Sequence, residues 1–291
     1  MILKTRSLSV CLIGILLLPS CVVIVDSGIG KQKSKPQPSV EASKSSGERN
    51  QWRAIFNGKD LSGWTPKFAG HEAGINYLNT FRVEDQKLIV DYERYEDFMG
   101  SPFGHLITNV PYQNYHLKVE YRFVGEQVTD DPALSWAYRN NGLMLHSQSA
   151  TSMQLDQAFP MSVEAQLLGG NGEVPRTTGN VCTPLTHIIQ NGKLIKKHCI
   201  SSSSATFHGD QWVTFEAKVF ESGRVEHFIN GDLVFEYDQL IVDTSDSAAE
   251  KIIDSMQLDQ SSGVFYLNKG HIAIQAESHP TEFRMISIKP L

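Results

Sequence analysis

The chain has 291 residues, 41% of them hydrophobic, with 26 Lys+Arg against 32 Asp+Glu and a formal net charge of -6. That apolar content supports a globular core and excludes wholesale disorder. A negative balance with no Lys/Arg-dense run argues against nucleic acid as a partner.

Residues 1–21 read as an address rather than as fold. Lys4 and Arg6 form a positive n-region, and Leu8 to Leu18 form an apolar h-region too short for a stop-transfer helix. Leu18-Pro19-Ser20-Cys21 has the form of a bacterial lipobox, and Val22 follows where an Asp would signal inner-membrane retention. We therefore expect a lipoprotein signal peptide over 1–20 and lipidation of Cys21. The protein is then exported and membrane-anchored, at the outer membrane or facing the periplasm. An ordinary secretory signal with an incidental Cys21 is the alternative. From Asp26 to Asn50, Ser, Lys, Gly and Pro dominate and aliphatic residues are scarce, so 21–50 is expected to be a disordered tether.

From Gln51 the dominant signal is period two. His116-Leu117-Lys118-Val119-Glu120-Tyr121-Arg122-Phe123 alternates without a break, and Trp212 to Val219 repeats the pattern. Both predict half-buried antiparallel strands. Hairpins are predicted at Val83–Leu88 and at the Asn230-Gly231 turn. Further strands are predicted at 104–109, 141–146, 162–168, 271–277 and 282–289, and a helical pattern only around 246–258. About a dozen short strands without alternating helices mean an all-β sandwich or jelly roll, filling 51–291 as one domain.

The four cysteines fall into two groups. Cys11 leaves with the signal and Cys21 takes lipid, so Cys182 and Cys199 remain as a natural pair in an oxidising compartment. Closing that loop contributes about 3 kcal/mol in the chain-entropy model. The pair lies in 169–204, a stretch poor in strand pattern and rich in Gly, Ser, Thr and Asn. Such a long connection is expected to be pinned, and to form a wall over a binding site.

Nucleotide loops, the GxSxG elbow and HExxH are all missing from the sequence. The informative polar residues sit on strand faces. Val163, Ala165 and Leu167 share one face and Glu164 and Gln166 the other. Leu143 and Leu145 point one way, Met144 and His146 the other. A face of Glu, Gln, His and Met is either a binding surface or a damp outer face. Arg139-Asn140-Asn141 adds a cation and amides at the mouth of the second strand, and Glu226-His227 precedes the Asn-Gly hairpin. Trp136 and Tyr138, like Trp64 and Trp212, have rings able to stack on sugar faces or to fill a core. None of the ten histidines shows HxH or HxxxH spacing, so no metal ligand is assigned.

Phe56-Asn57-Gly58-Lys59-Asp60-Leu61-Ser62-Gly63-Trp64 resembles the opening signature of the 3-keto-disaccharide hydrolase domain family. The likeness continues through Thr80-Phe81-Arg82-Val83, Asn141-Gly142-Leu143, Ser162 to Leu167, His227 to Gly231, Gly270 to Gln275 and Glu282-Phe283-Arg284. It covers roughly 52–291. The resemblance implies a concanavalin A-like (lectin/glucanase) jelly roll of two curved antiparallel sheets with ligand on the concave face. It also implies hydrolysis of glycosides whose sugar is oxidised at carbon 3. Val163 stands where many members have Tyr, Asn140-Asn141-Gly142 stands for Asn-Ser-Gly, and the Cys-containing insertion is a further departure.

Retaining glucanases of this fold use two carboxylates on one strand, whereas Glu164-Ala165-Gln166-Leu167 offers one. A 3-keto sugar changes the requirement, because the ketone acidifies the hydrogen at carbon 2 and the aglycone lies β to that carbanion. Elimination followed by hydration then needs one base, an enolate stabiliser and an acid. The residues expected to act are Glu164 or His146 as base and Arg139 as oxyanion partner, with a divalent cation as the alternative electrophile. Gln166 and Asn141 are expected to anchor sugar hydroxyls, with His227, Trp136 and Tyr138 as further substrate contacts. An oligosaccharide or glycoside is then the ligand, and a sugar oxidoreductase acts upstream. The rival readings are a non-catalytic lectin-like carbohydrate-binding lipoprotein and a scaffold lipoprotein without a carbohydrate ligand.

Overall fold

Alternation of apolar and polar side chains builds the framework. The computed structural model describes residues 51–291 apart from positions 99, 254, 255, 257 and 262. The expected signal peptide, Cys21 and the tether lie outside the described residues. The segment read from His116 is the strand Tyr115–Phe123, with Leu117, Val119, Tyr121 and Phe123 turned into the core. Lys118, Glu120 and Arg122, on the alternate positions, are only partly covered.

This strand is central to the first sheet. In order, that sheet runs Asp232–Tyr237, Val225–Ile229, Val213–Val219, Tyr115–Phe123, Thr281–Pro290, Lys87–Val90 and Phe81–Glu84. Arg53–Ala54 also pairs with Thr281–Pro290. The second sheet runs Cys199–Ile200, Asn180–Cys182, Val163–Leu168, Asn140–Ser147, His271–Ala276, Gly104–Thr108 and Trp64–Phe68. Pairing is antiparallel throughout both sheets. Leu117, Val119, Phe215 and Phe283 of the first sheet share one core with Leu143, Leu145, Val163, Ala165 and Ile274 of the second. Each of these side chains other than Ala165 contributes about 1.5–3 kcal/mol on burial. The result is an all-β sandwich of antiparallel sheets, the fold class that the resemblance implied.

Two turns carry their own explanation. Asp85 and Gln86 have φ of 49° and 62°, and Asn230 and Gly231 have 51° and 94°. Two consecutive left-handed residues give the hairpin twist that matches the flanking strands. Asn-Gly adopts it readily, which is why that turn stands out in the sequence.

Two expectations need correction. The stretch 169–204 is not poor in strands: it holds Asn180–Cys182, Thr186–Gln190, Lys193–Ile195 and Cys199–Ile200. Two of these join Gln239–Val242, Val264–Tyr266 and Asp259–Ser261 in a third, five-stranded sheet. Strands of three to five residues are too short to show a period. The helix is Ser247–Ile253, shorter than the 246–258 pattern.

The cysteine pairing is as expected. Cys182 and Cys199 are bonded and directly opposite in register, with Cα atoms 4.1 Å apart. The bridge ties the edge strand of the second sheet to its neighbour across 17 positions of sequence. Replacing both residues by Ser is expected to cost about 3 kcal/mol of unfolding free energy. Urea denaturation of the double variant checks this, and a loss under about 1 kcal/mol would show that the loop is held by other contacts.

Candidate active site

The candidate site grows on the face of the second sheet turned away from the core. Antiparallel register sets its residues in rows, one per strand. One row pairs Asn180 with Gln166 and Gln166 with Gly142, then continues through Gln275, His105 and Lys67. The next pairs Cys182 with Glu164 and Glu164 with Met144, then Ala273 and Ile107. A cleft of about 300 Å³ opens above the first strands of these rows. Asn140, Glu164, Gln166 and Glu277 form its polar lining, and Trp136, Phe159, Pro184, His198 and the Cys182–Cys199 bridge form the rest.

Gly142 makes room for the polar floor. A Cβ at that position would lie 2.4 Å from Glu164 Oε1 and 2.6 Å from Gln275 Oε1. Only glycine lets both side chains lie across the strand. Glu164 Oε1, Glu277 Oε2 and both amide atoms of Gln275 are buried without a hydrogen-bond partner in the protein. Such polar atoms are costly unless a ligand or water satisfies them.

The electrostatics follow from that burial. Burial pushes the Glu164 carboxyl up to about 8. Glu277 is pushed well above the usual carboxylate range, first by burial and then by repulsion from Glu164. At neutral pH the two therefore hold at least one proton between them. Deeper in the sheet, burial and then the charge of Lys67 hold His105 down to about 3, so its ring is neutral. The Lys67 ammonium donates to the carbonyls of Phe68 and Leu155.

Glu277 is the residue that sequence reasoning missed as a functional group. The expectation of a single carboxylate held for the Glu164 strand alone, because the second carboxyl comes from the end of another strand. The signal was available: alternation carries the outward face from Ala273 and Gln275 to Glu277. Asn140 was also passed over in favour of its two neighbours.

Gln166 lines the cleft as expected, its Oε1 accepting from Asn180 Nδ2 at 3.1 Å, and Trp136 stands at the mouth, 47% exposed. The other predicted contacts lie elsewhere. Arg139 donates to the Gly209 carbonyl at 2.6 Å and pairs with Asp210 at 3.0 Å, so its head is already engaged. Tyr138 packs against His279, with ring centroids 5.1 Å apart. Asn141 faces the interior, where its Nδ2 donates to the Gln275 carbonyl. It braces the strand beneath the site rather than lining the cleft. His227 is in the core against Phe215 and Tyr237, with Nδ1 at 3.0 Å from the Gly179 carbonyl.

His146 is separated from Glu164 by an irregularity. Its φ is 53°, and the pairing with the neighbouring strand slips between His271 and Ala273. A bulge breaks the alternation that put His146 on the Met144 face. Gly270 permits the bulge, since a Cβ there would meet the His146 backbone at 2.4 Å. Burial alone lowers the His146 ring to about 4, with no carboxylate contributing. Among the described residues, no three His, Cys, Asp or Glu side chains converge as a metal-ligand set.

A family model described as a 3-keto-alpha-glucoside-1,2-lyase-like domain matches residues 51–289. No curated protein matches the sequence. Among solved structures, a proposed glycosyl hydrolase from Parabacteroides distasonis ATCC 8503 is similar at 18% identity and TM-score 0.47. That match covers 82% of this chain and 94% of the other. The carbohydrate-binding module CBM66 from Bacillus subtilis is similar at 10% identity and TM-score 0.42, covering 78% and 95%. Both likenesses are remote.

A buried carboxyl with a raised value stabilises the fold while protonated and weakens it once ionised. Stability is therefore lost as pH rises from the ordinary carboxylate range through about 8. Glu164→Gln keeps the shape and removes that charge. The variant is expected to gain about 1–3 kcal/mol over the wild type at pH 9, with little difference at pH 5. Denaturation curves at the two pH values check it, and an equal effect at both would refute the buried, raised carboxyl.

Proposed function

We infer the function from one premise: the chain belongs to the 3-keto-alpha-glucoside-1,2-lyase-like family. The proposed reaction is cleavage of 3-keto-glycosides by elimination and hydration. The observation that carries it is the buried Glu164–Glu277 pair. Elimination needs a base and an acid close together, and two carboxyls that resist double ionisation supply one of each.

Glu164 is the base and Glu277 the acid, since repulsion from Glu164 adds to burial in keeping Glu277 protonated. The Glu164 carboxylate takes the proton from carbon 2, and the electron pair forms the enolate with the carbon-3 oxygen. The enolate then collapses into a carbon 1–carbon 2 double bond as the bond from carbon 1 to the leaving oxygen breaks. The leaving oxygen takes the Glu277 proton. Charge has changed places within the pair, and its proton count is unchanged. Water then adds across the double bond, hydroxyl to carbon 1 and hydrogen to carbon 2, which gives the free 3-keto sugar.

Arg139, expected as the oxyanion partner, is held by Gly209 and Asp210. The amide of Asn140, in the cleft lining, takes that role in this proposal, and Gln166 keeps its role as hydroxyl anchor. With the expected signal and lipidated Cys21, the activity belongs at the cell envelope. An oxidoreductase acting on the sugar must come first.

The test is incubation with a 3-keto-disaccharide and with its unoxidised parent. We expect product from the keto substrate only, with the acid limb of kcat/KM displaced upward toward pH 8. Glu164→Gln and Glu277→Gln should each lower kcat by about 10²–10⁴. Cleavage of the parent at a similar rate would return the pair to two-carboxylate glycoside hydrolysis. Tight binding of the keto sugar without product would make the domain a lectin-like module.

A further inference from the structure

We propose that the group cleaved from the keto sugar is apolar and compact rather than a second sugar, an inference that rests on the function proposed above. The cleft is divided. Three of its hydrogen-bonding groups lie deep, with Asn140 and Glu277 each 2% exposed and Glu164 7%. The more accessible part is Trp136, Phe159, Pro184 and Cys199 of the disulfide, with Gln166 and His198 as its polar side chains.

Three separate segments build that apolar mouth. Trp136 rides on the helical turn Pro132–Ala137, which Asp131 caps by accepting from the Ala133 amide. Phe159 precedes the Val163–Leu168 strand. Phe103 joins the two, its ring centroid 6.0 Å from Trp136 and 5.3 Å from Phe159. Pro184, His198 and the disulfide come from the 169–204 insertion. The bridge is therefore wall as well as clasp, because Cys182 sits directly opposite Glu164 in register.

The sugar ring must enter deep, where Glu164 and Glu277 reach carbons 2 and 1. Its leaving group then lies against the mouth. Ring faces, a proline and a disulfide present few partners to the several hydroxyls of a second sugar, and each hydroxyl desolvated without one costs about 1–3 kcal/mol. An aromatic or alicyclic group meets no such cost and packs on the Trp136 and Phe159 rings. The volume of about 300 Å³ is at the small end for a ligand site and suits one sugar with one compact ring.

The test compares benzyl 3-keto-glucoside with a 3-keto-disaccharide of the same anomeric configuration. Both leaving oxygens are alkyl oxygens that depart as alcohols, so the comparison reads recognition more than leaving-group reactivity. We expect kcat/KM for the benzyl compound to be about tenfold higher, mainly through KM. Trp136→Ala, at a half-exposed position, should lower kcat/KM for the benzyl compound several-fold more than for the disaccharide and so remove most of that preference. A disaccharide cleaved equally well or better, or a Trp136→Ala loss shared equally by both, overturns the inference and leaves the elimination intact. If neither is cleaved, the elimination falls, and binding of the unoxidised benzyl glucoside and disaccharide decides. Tighter binding of the benzyl compound, lost in Trp136→Ala, upholds the apolar mouth, and equal or weaker binding overturns it.

Discussion

Two carboxyl groups buried together, with no cation among the described residues to balance them, are the constraint around which this domain is arranged. No positively charged group contributes to the raised values of Glu164 or Glu277. An isolated buried carboxylate is unfavourable, and the molecule meets that by keeping protons on the pair rather than by pairing charges. Such a site survives only where the surrounding fold is stable enough to hold it. The continuous core shared by the two sheets supplies that excess, and Gly142 leaves room for the side chains of Glu164 and its neighbour Gln275.

The second sheet is unusual in burying both faces of its central strands. Every residue of Asn140–Ser147 is buried. On the core side this is Leu143 and Leu145. On the other side Met144 joins Ile107, Ala150, Met153 and Ala273 in a small separate cluster. The covering loop between the Asn140–Ser147 and Val163–Leu168 strands is tied down by Lys67, whose ammonium donates to the Leu155 carbonyl. Gln148 and Gln157 bond to each other across the same loop. That cover removes water from the sheet face, and low solvation is what raises the carboxyl values and makes their protons available for chemistry.

Much of this is legible in the sequence where the period is long and regular. Tyr115–Phe123 and Val213–Val219 alternate over seven to nine residues, so their inward and outward faces follow from residue order alone. The pairing of Glu164 with Gln166 on one face follows from the same rule. Legibility ends at three kinds of place. Short strands such as Asn180–Cys182 and Lys193–Ile195 have no period to read. The bulge at His146 breaks the rule of two, so a residue two positions from Met144 does not share its surroundings. Glu277 is invisible as a partner of Glu164, because 113 positions separate them in sequence and only sheet order brings their strands near. The aromatic residues are ambiguous for a different reason. Trp136 and Trp64 look alike as letters, yet one is 47% exposed at a cleft and the other 5% exposed in the core.

The burial of the pair also bears on whether the domain turns over its ligand or only holds it. A sugar is recognised by donors and acceptors that stay fixed, and an ionised carboxylate in contact with water serves that purpose without loss of stability. A binding module would gain nothing from placing two carboxyls where one must stay protonated. Proton transfer gains directly, since a carboxyl displaced toward neutral pH can give a proton to a leaving oxygen and its neighbour can take one from carbon. The unpaired oxygens of Glu164 and Glu277 weaken the fold until a ligand, a water or a reacting group meets them. Two carboxyls left without hydrogen-bond partners, beside the similarly unpaired Gln275 amide and Asn140 oxygen, suit the proposed proton transfer better than passive binding.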